Sequence, residues 1–574
     1  MKIEMAKNSG FCMGVRNAVI KIVEELNTSD EEIYVYGPLI HNPQTIEVLK
    51  NRGLITINSL DDIKGKSVAI RTHGIPVDES RYIKNEASRT INLTCSRVAR
   101  VQSYIKKFSS QGYFTVIVGD KDHAEVIGLK SYASSGVFVV SELEDVANLP
   151  EAEKYLVVSQ TTHERNHFEQ VVKLIEKKNK DVHVIDTICD STRLRQDDVH
   201  NAIARGIDTL VVVGGRNSAN TTRLVKIGID NGIKTFHVET DEELNPEDFA
   251  NSKYVLVTAG ASTPGWIINN VLERLYIINN TNSNFFVKLL NRYMEFFVRS
   301  NIISSIAAFL MVCIARSYGG LKFDYRHGLI ASLFIFVMYT VNNYLDREFL
   351  IKSNSYKYKV YEKYGKSLLF FAIIGFFYSI YLSYSISPIM TGLFLLPYIL
   401  GILYSTPQCK FFVKGLGIDF IKRLYNTKAV TGFGWLIVLV FIPYFGSKVS
   451  MLTYLSISAL FFAILFMRQF IIDLVAFQGD LILGRDTLPT SLGIKRAIKM
   501  TLAIAIAGAL IFSAITIYHG NWLYLLLNSS VLYYYFLLRK IKETAYLVSI
   551  RYEILIDLNF ALMFLCYLAT GLHF

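Results

Sequence analysis

FTVIVGDKDHAEV (114–126), TLVVVGGRNSANTTRL (209–224) and YVLVTAGASTPGWIINNVLERL (254–275) each join a β-branched run to a small-residue turn and then to a segment of helical period. A strand apolar on both faces, followed by a helix of this length, predicts a right-handed βαβ unit. Repeated units make parallel sheets covered on both sides. Each turn leaves backbone N–H groups and hydroxyls at a helix N-terminus, where anions are favoured. Pro264 stands where proline suits a first helical turn. Similar units recur throughout residues 1–278, which read as one α/β region.

The rest of the chain has another character. The 574 residues are 51% hydrophobic and 19% charged, with 11 prolines, which excludes disorder, a collagen-like repeat and a disulfide-rich scaffold. Residues 279–300 read as a polar linker (INNTNSN, 278–284) and then FFVKLLNRYMEFFVRS (285–300), which alternates apolar and basic faces. That helix either lies on a membrane surface or begins the first span. Over 301–574 follow about nine apolar stretches long enough, or nearly so, to cross a hydrocarbon layer of ~30 Å, centred near Leu310, Phe336, Ile374, Leu395, Ile437, Phe462, Ala505, Val531 and Phe564.

The net charge of +11 follows the same division. A nucleic-acid reader concentrates basic residues on one soluble face. Here they crowd alternate loops between apolar stretches, over 347–366, 410–428, 485–496 and 539–542, whereas the opposite loops offer little beyond Lys322, Arg326 and Lys448. The positive-inside bias therefore predicts a multi-pass membrane protein with its N-terminal domain in the cytoplasm, a lipid bilayer as partner and no nucleic acid. Met1 to Ile20, mixed polar sequence with no continuous apolar core, fits a cytoplasmic start. In that reducing compartment disulfides are not expected.

Three cysteines fall in the first region: Cys12 in NSGFCMGVRNAV, Cys95 in NLTCSRVARV and Cys189 in DTICDSTRLRQ. Each ends an extended segment and opens a helix, where the dipole favours thiolate. None belongs to a CxxC pair, and the long spacings between Cys12, Cys95 and Cys189 mean that each would come from a different βα unit. Converging, they would hold a cubane iron–sulfur cluster with one iron lacking a protein ligand; taken alone, they also read as small buried core residues. His41 (PLIHNP), His73 (RTHGIP) and His123 (DKDHAEV) follow strand-like runs, and Ser218, Asn220 and Ser262 sit at predicted helix starts. Together these six suit a phosphate group. Glu125 and Thr161 (VSQTTHE) form a candidate proton relay beside the cysteines.

These motifs, in this order, resemble 4-hydroxy-3-methylbut-2-enyl diphosphate reductase, the last enzyme of the non-mevalonate isoprenoid pathway, over essentially all of 1–278. The resemblance implies a three-lobed α/β trefoil with pseudo-threefold parallel sheets around a central [4Fe–4S] cluster on Cys12, Cys95 and Cys189. It implies diphosphate binding by His41, His73, His123, Ser218, Asn220 and Ser262, with Thr161 at the substrate and Glu125, beside Thr161, supplying the proton. It also implies a ferredoxin or flavodoxin as electron donor. The products would be isopentenyl and dimethylallyl diphosphates. Ser96, Ala219 and Asn92 depart from the family's usual proline, serine and acidic residue.

Acidic residues at the ends of spans are functional candidates. NNYLDRE (342–348) closes the second stretch and IIDLVAFQGDLILGRDTLPTSLG (471–493) the sixth; carboxylates from two loops on one side suit Mg²⁺ and a diphosphate. With YSTP (404–407) and GRDTLP, these motifs resemble the intramembrane prenyltransferases of the 4-hydroxybenzoate polyprenyltransferase type over about 290–574. The resemblance implies an all-α membrane bundle and a Mg²⁺–prenyl diphosphate site at Asn342, Asp346, Asp473 and Asp480. Asn343, Leu350 and Ala476 stand where that family has aspartate, so affinity for the metal–diphosphate should fall. The function expected is thus a reductase fused to a prenyltransferase-like domain. The alternative is the same reductase on a catalytically degenerate anchor or lipid-binding scaffold. A transporter with a regulatory iron–sulfur head finds no support, because no inverted repeat of broken helices is visible.

Overall fold

A computed structural model describes the chain except residues 30, 179–180, 282–284, 346–349, 351–354, 406–428, 484–486, 544–549 and 572–574. It divides into two compact units, the first chiefly Met1–Asn279, the second Asn280–Asp480 with Arg485–Phe574.

The first unit repeats one supersecondary plan three times. Lobe one holds β2 (Ile33–Tyr36), β3 (Leu54–Ile57), β4 (Ser67–Ile70) and β5 (Arg89–Asn92); lobe two holds β6 (Phe114–Val118), β7 (Val137–Val140), β8 (Tyr155–Ser159) and β9 (Val182–Val184). Lobe three holds β10 (Thr209–Val213), β11 (Lys234–Val238) and β12 (Tyr254–Ala259), and takes β1 (Lys2–Met5) from the start of the chain as its fourth strand. The sheet orders are β3-β2-β4-β5, β7-β6-β8-β9 and β11-β10-β12-β1, and every pairing is parallel. In each lobe the opening strand pairs with the second on one side and the third on the other, and the fourth lies beyond the third. This equivalence is the pseudo-threefold relation.

The strands are β-branched because both faces are covered. All residues of β8 and β10 are buried, as expected of parallel strands between helical layers. In a parallel sheet all carboxyl ends share one edge, where functional loops gather. Here each opening strand leads to a helix: α2 (Pro43–Lys50), α5 (Ala124–Lys130) and α8 (Ala219–Asp230). Each fourth strand leads to a cysteine and a helix: α1 (Met13–Thr28), α4 (Ser96–Ser109) and α7 (Asp190–Ala204). The remaining helices are α3 (Val77–Glu86), α6 (Arg165–Lys178) and α9 (Gly265–Thr281).

The linker expected from 278 begins later. Val271, Leu272, Leu275 and Ile278 are buried at helical spacing, and this apolar stripe carries α9 through the asparagines to Thr281.

The second unit is helical. Among the described residues five helices are long and apolar enough to cross a membrane: Tyr325–Leu345, Tyr356–Ile386, Met451–Phe477, Ile494–Tyr518 and Tyr552–Ala569. A sixth arises if Arg292–Arg299 and Ile302–Tyr318, bent by 68°, count as one. Each of the nine centres read from the sequence falls in a helix, but two lie in the shorter apolar helices Pro388–Ile402 and Thr431–Tyr444, and Val531 lies in the 15-residue helix Ser529–Glu543. Ile437–Phe441 forms a π-helical turn, which bends and shortens that segment. In its apolar 18-residue stretch Met451–Phe477 has 72% of its residues buried, whereas Tyr356–Ile386 has 28% and exposes Phe370, Phe371, Ile374, Phe377 and Tyr381. Helices with outer faces this apolar are suited to contact with lipid.

Candidate active site

The three cysteines hold equivalent places. Each is the N-cap of its helix, with extended or near-extended backbone. Each donates its own N–H to a carbonyl in the loop that follows a third strand: Cys12 to Ala261, Cys95 to Thr72 and Cys189 to Thr161, at 3.0, 2.9 and 2.9 Å. Helix N–H groups face the sulfurs, Val15 toward Cys12 at 3.4 Å, Arg97 and Val98 toward Cys95, and Ser191 and Thr192 toward Cys189. Burial pushes the Cys95 and Cys189 thiols up, and each is raised further by the charge of a neighbouring cysteine; the backbone N–H groups oppose this. The sulfurs of Cys95 and Cys189 thus lie within electrostatic reach of Cys12.

The surroundings fit a cluster with anionic ligands. A Cβ on Gly14 would lie 2.5 Å from the Cys95 sulfur and 3.8 Å from that of Cys12, so only glycine leaves this approach open. Among the described residues no three His, Cys, Asp or Glu side chains converge closely enough for a single metal ion; thiolates on separate irons of one cubane stand further apart than that. Gly14→Ala is expected to lower the iron and acid-labile sulfide bound per chain after anaerobic reconstitution, with the fold retained by circular dichroism.

The loops after the opening strands carry most of the residues expected to bind phosphate. His41 precedes the α2 cap, where Asn42 accepts from the Thr45 N–H at 2.9 Å. His123 caps α5 and Ser218 caps α8. His73 comes from the loop after β4, and the three imidazole rings cluster, their centroids 4.6, 5.8 and 6.3 Å apart. Burial lowers all three, His73 most and His123 to about 4, so near neutrality they are uncharged N–H donors. Ser262 donates its hydroxyl to the His41 carbonyl at 3.1 Å, which links the loop after β12 to lobe one. Two buried polar atoms here, His73 Nδ1 and Asn220 Nδ2, have no hydrogen-bond partner among the described residues. Buried donors of this kind call for an acceptor from a ligand.

Glu125, on the first turn of α5, is 1% exposed. Its Oε1 accepts from the Thr161 N–H at 2.7 Å and its Oε2 from the Thr161 hydroxyl at 2.8 Å. Burial pushes this carboxyl up to about 7, against the Thr161 bonds and the Arg223 charge. The site therefore brings together His41, His73, His123, Glu125 and Thr161 with the cysteines, and places Ser218, Asn220 and Ser262 on the same edge.

Sequence reading passed over three arginines. Arg71 lies close enough to His41 and His73 to oppose their protonation. Arg223, one turn after Asn220, pairs with Asp120 at 3.0 Å and so joins lobe three to the loop bearing His123. Arg195, six residues after Cys189, is buried near two of the cysteines. Arg223 and Arg195 stand one and two helical turns beyond Asn220 and Cys189, whereas Arg71 opens the RTHGIP turn itself, two residues before His73.

In the helical unit Asp473 is 2% exposed, accepts from Gln469 Nε2 at 2.9 Å and lines a narrow pocket with Tyr339, Trp435 and Arg468. Asp480, 3% exposed, follows it on the same helix, and Asn342 ends Tyr325–Leu345. Asp346 lies outside the described residues. Asn343 donates to the Tyr361 hydroxyl at 3.1 Å, and Arg468 is bound to Asp557 at 2.8 and 3.0 Å. Among the described residues no three His, Cys, Asp or Glu side chains converge on one point in this unit, and the expected ligand Asp346 is not among those residues.

The family described as LytB protein matches residues 3–276. A 4-hydroxy-3-methylbut-2-enyl diphosphate reductase from Geobacter sulfurreducens is 39% identical over 280 residues, which span 49% of this chain and 99% of that protein. The solved structure of (E)-4-hydroxy-3-methyl-but-2-enyl diphosphate reductase, the terminal enzyme of the non-mevalonate pathway, covers 48% of this chain and 99% of its own at 39% identity, with a TM-score of 0.39. A structure of a UbiA homolog from Archaeoglobus fulgidus bound to GPP and Mg²⁺ covers 47% of this chain and 99% of its own at 13% identity, with a TM-score of 0.34. Through residues 3–276, this chain belongs to the LytB family, homologous to the 4-hydroxy-3-methylbut-2-enyl diphosphate reductases.

Proposed function

We propose that the first unit reductively dehydroxylates 4-hydroxy-3-methylbut-2-enyl diphosphate to isopentenyl and dimethylallyl diphosphates. The observation that carries this reading is the gathering, at one edge of three equivalent sheets, of three cysteine N-caps, three neutral histidines and a buried carboxyl of raised proton affinity. The overall change consumes two electrons and two protons, breaks one C–O bond and releases water. A [4Fe–4S] cluster on Cys12, Cys95 and Cys189 would supply the electrons, delivered singly from a ferredoxin or flavodoxin, and a Lewis-acidic iron. The protein's own part is positioning and proton supply. His41, His73, His123, Ser218, Asn220 and Ser262 hold the diphosphate, the imidazoles as neutral donors. Glu125 holds a proton near neutrality, and Thr161 fixes the carboxyl through both oxygens. Full-length protein purified anaerobically in detergent and given a one-electron reductant should consume the hydroxylated diphosphate and yield both products. A preparation with its iron and sulfide in place but no turnover would overturn the reading.

The second unit, in this reading, spans a bilayer with the first unit on its cytoplasmic side, as the basic loops direct. It has the motifs of a prenyltransferase, but the engagement of Asn343 by Tyr361 and of Asp473 by Gln469 favours the degenerate anchor or lipid-binding scaffold. With a long-chain prenyl diphosphate and Mg²⁺ the thermal midpoint of the full chain should then stay where it is without Mg²⁺. A magnesium-dependent rise that disappears in Asp473→Asn would establish a working site instead, because a ligand selective for the folded state raises the midpoint.

A further inference from the structure

Arg195, on the second turn of α7, is 3% exposed. Its guanidinium is held by neutral groups. Nη1 donates to the Ser191 carbonyl at 2.7 Å and to the Ser191 hydroxyl, and Nη2 donates to the Gly10 carbonyl. Nε is buried and has no hydrogen-bond partner among the described residues. Among the described residues no carboxylate forms an ion pair with it. Asp198, the acidic group whose charge reaches it, is engaged by Asn8 through N–H and Nδ2 at 2.7 and 3.1 Å.

An arginine cannot shed its proton inside a protein, and a buried charge without a counter-charge is strongly destabilising. Such a residue persists when the counter-charge comes from a bound group. The two carbonyl bonds fix where that group lies. Gly10 is two residues before Cys12 and Ser191 two residues after Cys189, so the guanidinium bridges the segments that carry these cysteines, and both thiols are within its electrostatic reach. A cubane cluster on three thiolates is anionic, and it gains one more negative charge on reduction.

We propose that Arg195 is the fixed counter-charge of the cluster and sets its reduction potential, stabilising the reduced form more than the oxidised one. This rests on the reductase reading, because it needs the three cysteines to hold iron and sulfide. The step is a one-electron transfer. The oxidised cluster takes one electron from a low-potential donor, no bond breaks, and Arg195 keeps its proton. Arg195 is a positioning residue and does not touch the substrate. A purely structural staple between Gly10 and α7 would affect folding stability and leave the potential alone.

The test is a redox titration of the anaerobically reconstituted full chain in detergent, followed by electron paramagnetic resonance, with iron and sulfide measured on the same samples. In Arg195→Gln the reduced-to-oxidised ratio at fixed potential should fall about tenfold, a midpoint lower by about 59 mV for a one-electron couple. Arg195→Lys, which retains the charge, should keep most of the wild-type midpoint. A glutamine variant with intact cluster and unchanged midpoint overturns the proposal. Should that variant hold no cluster, Arg195→His decides. Its midpoint should become pH-dependent, falling as the imidazole loses its proton, and a midpoint as insensitive to pH as wild type overturns the proposal. Wild-type protein that takes up neither iron nor sulfide would overturn the reductase reading itself, a result distinct from either of these.

Discussion

Cys95→Ser is expected to reduce diphosphate turnover to background while leaving the thermal midpoint of the cluster-free protein nearly unchanged. The two effects separate because Cys95 has two roles. As N-cap of α4 it ends an extended segment and receives helix N–H groups, and serine performs that role as well as any residue. As a ligand it presents a soft, polarisable thiolate, whereas a serine hydroxyl is hard, shorter and not deprotonated at neutral pH. The substitution therefore keeps the cap and loses the cluster. Turnover and bound iron measured on one preparation check this. A variant that kept full turnover would sink the assignment of Cys95.

Why Cys95 was legible and Arg195 was not is a matter of range. A cysteine between an extended run and a helical period is a local pattern, and local patterns also disclosed the sheets: the all-buried β10 is the run TLVVV. The threefold arrangement is not local. That β1 completes the sheet of β12, about 250 residues away, follows from pairing Lys2 with Tyr254, which no window of sequence contains. The burial of Arg195 depends on that closure, because its Gly10 partner follows β1. The same limit applied in the helical unit. Apolar centres marked where helices lie, but the π turn at Ile437–Phe441 and the partners of Asn343 and Asp473 arise only when helices pack. In the first region candidate residues could be named one by one, because they sit at element ends. In the bundle polar groups were named without their neighbours.

Glu125→Gln tests the proton supply, and its activity and stability effects should oppose each other. Glutamine keeps the shape and can still accept the Thr161 N–H, but it holds no transferable proton. Loss of a positioned acid lowers kcat by roughly 10²- to 10⁴-fold, with KM little changed because the diphosphate is bound elsewhere. In wild type, burial raises the carboxyl from its ordinary value of 4.5 to about 7. The acid form is thus present below about 7 and is lost above it, and kcat should fall on the alkaline side. The same rise fixes the sign for stability. Between 4.5 and about 7 the folded chain holds a proton that the unfolded chain has released, so stability declines as pH rises through that window. A tenfold change in proton affinity is worth about 1.4 kcal/mol, which makes the full cost of the buried carboxylate on the order of 3 kcal/mol above the window. Glu125→Gln removes that cost. Its thermal midpoint should exceed wild type at about pH 8 and match it at about pH 5, with turnover depressed at both. Equal midpoints at the higher pH would mean that Glu125 is not held protonated by its burial, and an undiminished kcat would remove it from the reaction.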